Sequence, residues 1–276
     1  MEQVFYIWYR DVVKFFRDRS RLASSFMMPF MFLILFGSGM GGAIKSLMTG
    51  AQAPAGMAGF DFVKFMFPGI IVMTVFNTAI FSALSIVQDR EFGFMKEIMV
   101  SPVPRVHIAL GKTLGGATVA LMQGLLMFVF VPFIGIKVNA GIVLRIVPAI
   151  FLVAFAISSI GILVASRLKS AQGFQMIVQL LVFPMLFLSG AYFPLNGMPG
   201  WMNVIVKLNP LTYAVDLFKK IILEYNQMPE VLRQAMGLNL RVGDHLVTMT
   251  NEVSFIALFG MVMIVLAMWN FSTAEQ

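Results

Sequence analysis

The side chains that could catalyse a reaction or hold a metal are few and scattered along this sequence of 276 residues. His107 and His245 lie far apart, and there is no cysteine to act as a nucleophile or as a thiolate ligand. The acidic residues fall in predicted loops or at predicted helix ends, and not in pairs inside apolar runs. We therefore expect no catalytic, cofactor-binding or metal site in the chain. The acidic residues in question are Asp61, Glu91, Glu97, Asp216, Glu224 and Asp244.

Neutral polar side chains offer a different chemistry, the binding of a molecule that crosses a membrane. Gln172, Gln175 and Gln179 are three and four residues apart, so they share one face of a predicted helix. Together with Asn77, which lies in another apolar run, they predict a substrate path. Hydrogen bonding between helices, worth about 0.6 kcal/mol per contact, is the alternative role and stays open. Ion-driven carriers usually keep ionisable groups within their spans, so these neutral residues indicate an energy source outside the chain.

A charged segment at 88–105, QDREFGFMKEIMVSPVPR, separates two of the most apolar parts of the sequence. Its charges recur at helical spacing beside Phe92, Phe94 and Ile98, and prolines end the pattern. An amphipathic helix of this kind predicts docking into a cleft on a soluble partner, with a solvated connector as the alternative. Its glycine would permit close approach of a partner's backbone. The residues expected to couple to that partner are Arg90, Glu91, Gly93, Lys96, Glu97, Ser101 and Pro102.

The composition indicates that lipid surrounds most of these elements. Hydrophobic residues make up 59% of the chain and charged residues 12%, whereas a soluble domain is about 25% charged. Six apolar runs approach or exceed the roughly 20 residues that a membrane helix needs, and they lack the alternation of barrel strands. Within the third run, Gly111 and Gly115 have the small-xxx-small spacing of closely packed helices. We predict an all-α integral membrane protein with six spans, at 22–43, 63–87, 106–134, 141–165, 172–190 and 252–271.

The positive charges predict the orientation of these spans. With a cytoplasmic N-terminus, eleven Lys and Arg residues fall on inside segments and four on the two short outside loops. The other five lie in 191–251, a segment long enough to cross regardless of its charge. We therefore expect both termini in the cytoplasm. The net charge of +7 comes from cations that border apolar runs, so it does not indicate a nucleic-acid surface.

Two further segments have patterns of their own. Residues 2–19 place apolar side chains on one helical face and Arg10, Lys14 and Arg17 opposite, which predicts an interface helix along the membrane surface. Residues 191–224 contain two apolar pieces, each too short to span, so they predict re-entrant helices that protein or a water-filled cavity must surround. An outside loop with a surface helix is the alternative. The residues expected to shape this segment are Pro194, Pro210, Tyr213 and Asp216.

Two of these segments resemble those of a known family. REFGFMKEIMVSPVPR at 90–105 and SGAYFPLNGMPGWMNVIVKLNPLTYAVDLFKK at 189–220 resemble the membrane subunit of type-2 ABC exporters, in the branch of daunorubicin-resistance-like permeases. The resemblance covers nearly the whole chain. It implies that 88–105 is a coupling segment seated in an ATPase subunit, and that 191–224 forms paired re-entrant helices on the outer side. Where the family often has arginine, this chain has Lys219, which keeps the charge but cannot pair in a bidentate way.

The same resemblance implies a function. The chain would be a single permease domain over 1–276 that exports an amphipathic substrate of the drug, lipid or glycan type. Two separate ATP-binding cassette subunits would bind the ATP and Mg, and a second permease copy, identical or different, would complete the transporter. The chain itself would hold no cofactor, and it would contact the lipid bilayer but no nucleic acid. Its expected place is the inner (cytoplasmic) membrane of a prokaryote, and a stand-alone secondary transporter is the alternative.

Overall fold

The computed structural model describes residues 2–17, 27, 29–37, 39, 41–42, 61–93, 104–195, 198–225, 228–238, 240–242 and 245–273. Over these residues the chain is helical apart from turns, short connections and one two-stranded antiparallel sheet. The helices are α1 (Glu2–Arg17), α2 (Phe62–Phe81), α3 (Leu84–Glu91), α4 (Arg105–Leu126), α5 (Val131–Ile134), α6 (Ala140–Ala165), α7 (Ala171–Phe187), α8 (Gly200–Leu208), α9 (Pro210–Ile222), α10 (Glu230–Ala235) and α11 (Met249–Thr273). A 3-10 turn (Met127–Phe130) joins α4 to α5, residues 29–37 are also helical, and the strands are β1 (Arg241–Val242) and β2 (His245–Leu246).

Within the described part of the chain, four stretches of helix are long and apolar enough to cross a membrane. The apolar helix α7 is shorter, at 17 residues. The predicted span at 22–43 is described only in part, at 27, 29–37, 39 and 41–42, so the count of six remains a prediction. The chain is thus an all-α membrane protein that crosses the bilayer several times. The four long stretches are Phe62–Glu91, Arg105–Ile134, Ala140–Ala165 and Met249–Asn270.

Local backbone signals explain where several helices begin and end. The side chains of Asp61, Asn139 and Ser170 cap α2, α6 and α7, and each accepts a hydrogen bond from a backbone N–H of the first turn. The predicted span at 172–190 ends earlier than expected, with the last residue of α7. The reason is the turn that follows, in which Gly190 adopts a left-handed φ of 77°.

Helix α2 lies at the centre of the bundle and contacts α4, α6, α7 and α9. Most of its side chains are buried. Small residues allow the close approach of neighbouring backbones: a Cβ on Gly161 of α6 would lie 2.6 Å from the carbonyl oxygen of Ile80. A Cβ on Gly69 would lie 2.6 Å from the carbonyl oxygen of Ala191, in the turn after α7. Larger side chains at these two glycines would therefore push α6 and this turn away from α2.

Helix α1 packs side by side with the first half of α4. A Cβ on Gly111 would lie 2.8 Å from Ile7 Cβ, and a Cβ on Gly115 would lie 3.1 Å from Asp11 Cβ. Both pairs have the same offset in sequence, so the two helices run parallel. The close helix packing predicted from the small-xxx-small spacing is confirmed at Gly111 and Gly115. Gly37 and Gly41 have the same spacing, but a Cβ on Gly41 would meet no atom within 4 Å among the described residues. The position of α1 along a membrane surface stays a prediction. The exposed aromatic side chains of α1 are Phe5, Tyr6, Tyr9 and Phe16.

The interrupted segment at 191–224 contains two short helices, as its sequence predicts. Helices α8 and α9 meet at Asn209, whose Oδ1 accepts a hydrogen bond from the N–H of Leu211 at 3.0 Å. The Asn209 Nδ2 donates to the carbonyl of Met185 at 2.7 Å, which fastens the corner to α7. Helix α9 is buried along its length and α8 is largely exposed. Insertion of this pair into the membrane remains a prediction.

Candidate functional site

A cleft of about 510 Å³ opens between α2, α7 and the helical residues 29–37. This volume is typical of sites for drug-sized ligands, which are about 300–1,000 Å³. Tyr192 and Phe193, in the turn after α7, also line the cleft, and the Tyr192 hydroxyl lies 2.8 Å from the Sδ of Met73 on α2. None of the lining side chains carries a charge. The aromatic residues from the helices are Phe32, Phe36, Phe62, Phe183 and Phe187.

Neutral polar side chains interrupt this aromatic lining. Asn77 and Thr78 come from α2, Gln123 from α4 and Gln179 from α7. Thr78 Oγ1 donates to Gln123 Oε1 at 2.5 Å, so α2 and α4 are joined next to the cleft. The Asn77 Nδ2 donates to the carbonyl of Met73 at 3.0 Å. Amide groups both donate and accept hydrogen bonds, so the cleft can hold an uncharged polar group beside an apolar one.

Two of the four residues predicted to form a substrate path line the cleft, and the other two do not. Asn77 and Gln179 line the same cleft, although they come from different helices. Gln172 and Gln175 are exposed on α7, closer to its N-terminus, and are not among the lining residues. Gln123 also lines the cleft, but the substrate path predicted from the sequence did not include it. Its position in the middle of a predicted span was the available signal.

Arg90 and Glu91 lie at the cytoplasmic end predicted for the second span, and both contact the loop that joins α6 to α7. The Arg90 Nη1 lies 2.7 Å from the carbonyl oxygen of Leu168, and Glu91 Oε2 accepts from the N–H of Ala171 at 3.0 Å. Helix α3 ends at Glu91, and Gly93 follows with a left-handed φ of 83°. The amphipathic helix predicted within 88–105 is therefore interrupted at Gly93. Lys96, Glu97, Ser101 and Pro102 lie outside the described residues.

The residues predicted to shape the re-entrant segment are placed differently from one another. Pro194 is half-buried in the turn after α7, whereas Pro210 is buried as the first residue of α9. The Tyr213 hydroxyl donates to the carbonyl of Lys207 at 2.8 Å, which ties α9 back to α8. The Tyr213 ring packs against Phe255 of α11, with 4.1 Å between ring centroids and 30° between the ring planes.

A buried charge cluster joins α9 to α11, and sequence reasoning missed it. Lys220 Nζ lies 2.8 Å from Asp216 Oδ2, pairs with Glu252, and donates to the carbonyl of Val247 at 2.8 Å. The sequence placed Asp216 in a loop or at a helix end, whereas it lies buried in the middle of α9. The spacing of four residues between Asp216 and Lys220 was the available signal. Among the described residues, no three His, Asp or Glu side chains converge as a possible metal site.

Two further lysines are buried with partners of their own. Lys219 Nζ donates to the carbonyl of Gly190 at 2.6 Å and lies 3.5 Å from the centroid of the Phe65 ring. It thus joins α9, the turn after α7 and α2. Lys112 of α4 lies 3.2 Å from Asp11 Oδ1 of α1 and donates to Ser85 Oγ at 2.8 Å. Its position inside a predicted apolar span was a signal of such a role.

Comparison with known proteins places this architecture in a family. The sequence pattern of the ABC-2 type transporter family matches residues 2–223. The chain belongs to the ABC-2 type transporter family. It is similar to the inner membrane transport permease YadH of Escherichia coli strain K12, with 25% identity over 231 residues, which cover 82% of this chain and 84% of YadH.

Two other transport permeases are similar to this chain in sequence. The ycf38 protein of Cyanophora paradoxa, which carries the name of a transport permease, is 28% identical over 221 residues, or 78% of this chain and 72% of ycf38. YbhR of Escherichia coli strain K12, named as a probable multidrug ABC transporter permease, is 27% identical over 171 residues, or 59% of this chain and 45% of YbhR. The ABC-2 chain is accordingly a transport protein and not an enzyme.

Proposed function

We propose that this ABC-2 chain is the membrane-spanning permease subunit of an ATP-driven exporter of amphipathic molecules. The observation that carries the proposal is the cleft of about 510 Å³ with aromatic walls and uncharged polar groups. An apolar body would pack against the phenylalanines, and a hydroxyl, amide or ether oxygen would hydrogen-bond to Asn77 or Gln179. A drug, lipid or glycan-type substrate has this combination of groups.

The energy would come from two separate ATP-binding cassette subunits that bind ATP and Mg. Membership of the ABC-2 family supports this source. A second support is that the ionisable cluster around Lys220 does not line the cleft. Closure of the nucleotide-binding subunits on ATP would move the coupling segment at 88–105 and rock the helices that bound the cleft, so that the path opens outward.

The complete transporter would contain further parts. A second permease copy, identical or different, would pair with this chain in the inner (cytoplasmic) membrane of a prokaryote. Six spans with both termini in the cytoplasm would bring the coupling segment, with Lys96, Glu97, Ser101 and Pro102, to the ATPase side. The short helices α8 and α9 would then re-enter the membrane from the outer side, before the last span.

The second candidate function is a stand-alone secondary transporter. One observation favours it, the burial of Asp216, Lys220 and Glu252, because ionisable groups within a membrane protein often belong to a proton pathway. The two functions differ in their source of energy. They can be separated by reconstitution in sealed vesicles.

The test compares two driving forces on one preparation. The purified chain is reconstituted with and without the ATPase subunit that co-purifies with it, and uptake of a fluorescent amphipathic dye is followed. We expect uptake only with the ATPase subunit, ATP and Mg, and none with a proton gradient alone. Uptake driven by the gradient without ATP would establish the carrier and reject the exporter.

A further inference from the structure

Arg90 binds the C-terminal end of α6. Its Nη1 lies 3.3 Å from the carbonyl oxygen of Ala165, 3.2 Å from that of Ser166 and 2.7 Å from that of Leu168. The last carbonyls of a helix have no partner within the helix, and the helix dipole makes this end negative. A guanidinium group satisfies both needs, because it is a planar cation with several donors. Arg90 therefore fixes the end of α3 to the end of α6.

Glu91, the next residue, binds the opposite kind of helix end. Its Oε2 accepts a hydrogen bond at 3.0 Å from the N–H of Ala171, the first residue of α7. Free N–H groups and the positive end of the dipole favour a carboxylate at this position. Two adjacent residues of opposite charge thus hold two helix ends of opposite polarity, on either side of the loop at 166–170.

These contacts join helices that form or support the walls of the cleft. Residues of α2 line one side of the cleft and residues of α7 line another. Helix α3 continues α2 after a short turn at Ser82 and Ala83. Phe174, near the start of α7, is buried and meets Phe81 at the end of α2, with 6.3 Å between ring centroids. The cytoplasmic end of α3 therefore cannot shift alone without breaking the contacts of Arg90 and Glu91.

We propose that Arg90 and Glu91 are positioning residues that transmit a displacement at the end of α3 to the ends of α6 and α7, and so set the separation of the cleft walls. The proposal rests on the proposed function, because an ATPase partner must supply the displacement. It gives the two residues a task within this chain, in place of the direct contact with the ATPase predicted from the sequence. Neither residue lines the cleft.

The first experiment breaks the linkage without removing the partner. In Arg90→Gln the charge and most donors are lost, and in Glu91→Lys a cation faces the positive end of α7. We expect both variants to retain the ATPase subunit at the wild-type ratio and to hydrolyse ATP. Dye uptake per ATP should fall about tenfold, within the roughly 5–150-fold range of energetic coupling between sites. Arg90→Lys, which keeps a cation, should recover part of the uptake.

A matched control removes a positive charge from the same loop. Lys169 is exposed in the loop that Arg90 contacts, and Lys169→Gln removes one positive charge, as Arg90→Gln does. We expect wild-type uptake per ATP from this variant. A loss equal to that of Arg90→Gln would mean that the charge of the loop matters and the contacts do not, which would overturn the linkage.

The second experiment replaces the linkage by a covalent bond. The chain has no cysteine, so Glu91→Cys and Ala171→Cys can be joined selectively by a short bifunctional thiol reagent. If α3 and α7 move together, uptake should be low in the double-cysteine variant, which lacks the Glu91 contact, and the crosslink should restore it. If Glu91 only capped the N-terminus of α7, the crosslink would not replace its hydrogen bond, and uptake would not recover. Failure of the crosslinked protein to transport, although it assembles with the ATPase, would overturn the proposal.

The outcomes separate the two proposals. Wild-type protein that shows no ATP-dependent uptake would overturn the exporter, and the linkage with it. A different result would overturn the linkage alone. In that case the wild-type protein transports the dye, and Arg90→Gln and Glu91→Lys keep an uptake per ATP within twofold of the wild-type value. Loss of the ATPase subunit from both variants would also reject it, and would favour direct contact with that subunit.

Discussion

Lys220 of α9 and Glu252 of α11 form an ion pair inside the protein, with side-chain exposures of 4% and 0%. Asp216, one turn earlier on α9, lies 2.8 Å from the same lysine Nζ. One cation therefore serves two carboxyl groups. These contacts fix α9, which lies between the predicted fifth and sixth spans, to the last long helix, α11.

Removal of the shared cation should cost more stability than removal of one acid. In Lys220→Met two buried carboxyl groups lose their partner, and we expect a loss of about 3–5 kcal/mol in the free energy of unfolding. In Glu252→Gln the pair of Asp216 with Lys220 remains, so the expected loss is about 1 kcal/mol. The measurement is the thermal unfolding midpoint of the purified protein in detergent.

The control for this comparison is a lysine outside the cluster. Lys207 on α8 is half-buried, and its side chain does not enter the cluster. Lys207→Met should leave the unfolding midpoint near that of the wild type. Equal destabilisation by Lys220→Met and Glu252→Gln would contradict the view that one lysine serves both acids.

Transport should depend on the amide of Gln179 but not on that of Gln172. Gln179 lines the cleft and is exposed toward it, so Gln179→Leu removes one hydrogen-bonding group from the proposed site. We expect the apparent affinity for the fluorescent dye to fall roughly two- to tenfold, the value of one hydrogen bond. The concentration dependence of ATP-driven uptake gives this affinity.

Gln172→Leu is the matched control, because it makes the same chemical change on the same helix but away from the cleft. It should leave the apparent affinity at the wild-type value. An equal loss in both variants would support the whole glutamine face of α7 as the substrate path, as its spacing in the sequence predicts. An unaffected Gln179→Leu would place the substrate elsewhere.

Continuous apolar runs predicted most of the long helices, because a helix that crosses the lipid bilayer needs about 20 apolar residues. The break between α8 and α9 was also predictable, because Pro210 cannot continue a preceding helix. The contacts that matter most in the site were not predictable in this way. They join residues far apart in sequence, such as Glu91 with Ala171 and Lys220 with Glu252. A single sequence carries no signal for such pairs beyond charge and position.

The contacts of Arg90 and Glu91 show most clearly what could not be predicted from the sequence. Their charges in an amphipathic segment predicted a docking surface for a soluble partner. In the structure both residues contact backbone groups near two helix ends, and their contact with a partner stays a prediction. The sequence shows that such groups exist at 165–171, but not which side chain reaches them.

The orientation can be tested with single cysteines, since the chain has none of its own. Lys137 and Lys169 are both exposed and lie at opposite ends of α6. The excess of cations on one side predicts that Lys137→Cys reacts with an impermeant maleimide in intact cells. Lys169→Cys should react only after the membrane is permeabilised. Labelling of Lys169→Cys from outside would reverse the proposed topology.

Gly93 should be required for its backbone conformation and not for its small size. Its φ of 83° is left-handed, and a Cβ placed there would meet no atom within 4 Å among the described residues. Such a conformation costs an ordinary residue about 1–2 kcal/mol, whereas asparagine adopts it more readily. We therefore expect Gly93→Asn to keep the ATPase subunit and most of the uptake, and Gly93→Val to lose much of both. Co-purification ratios and ATP-driven dye uptake provide the measurement. If Gly93→Asn is as damaging as Gly93→Val, a partner must approach the bare backbone at this position, and the prediction made from the sequence would hold instead.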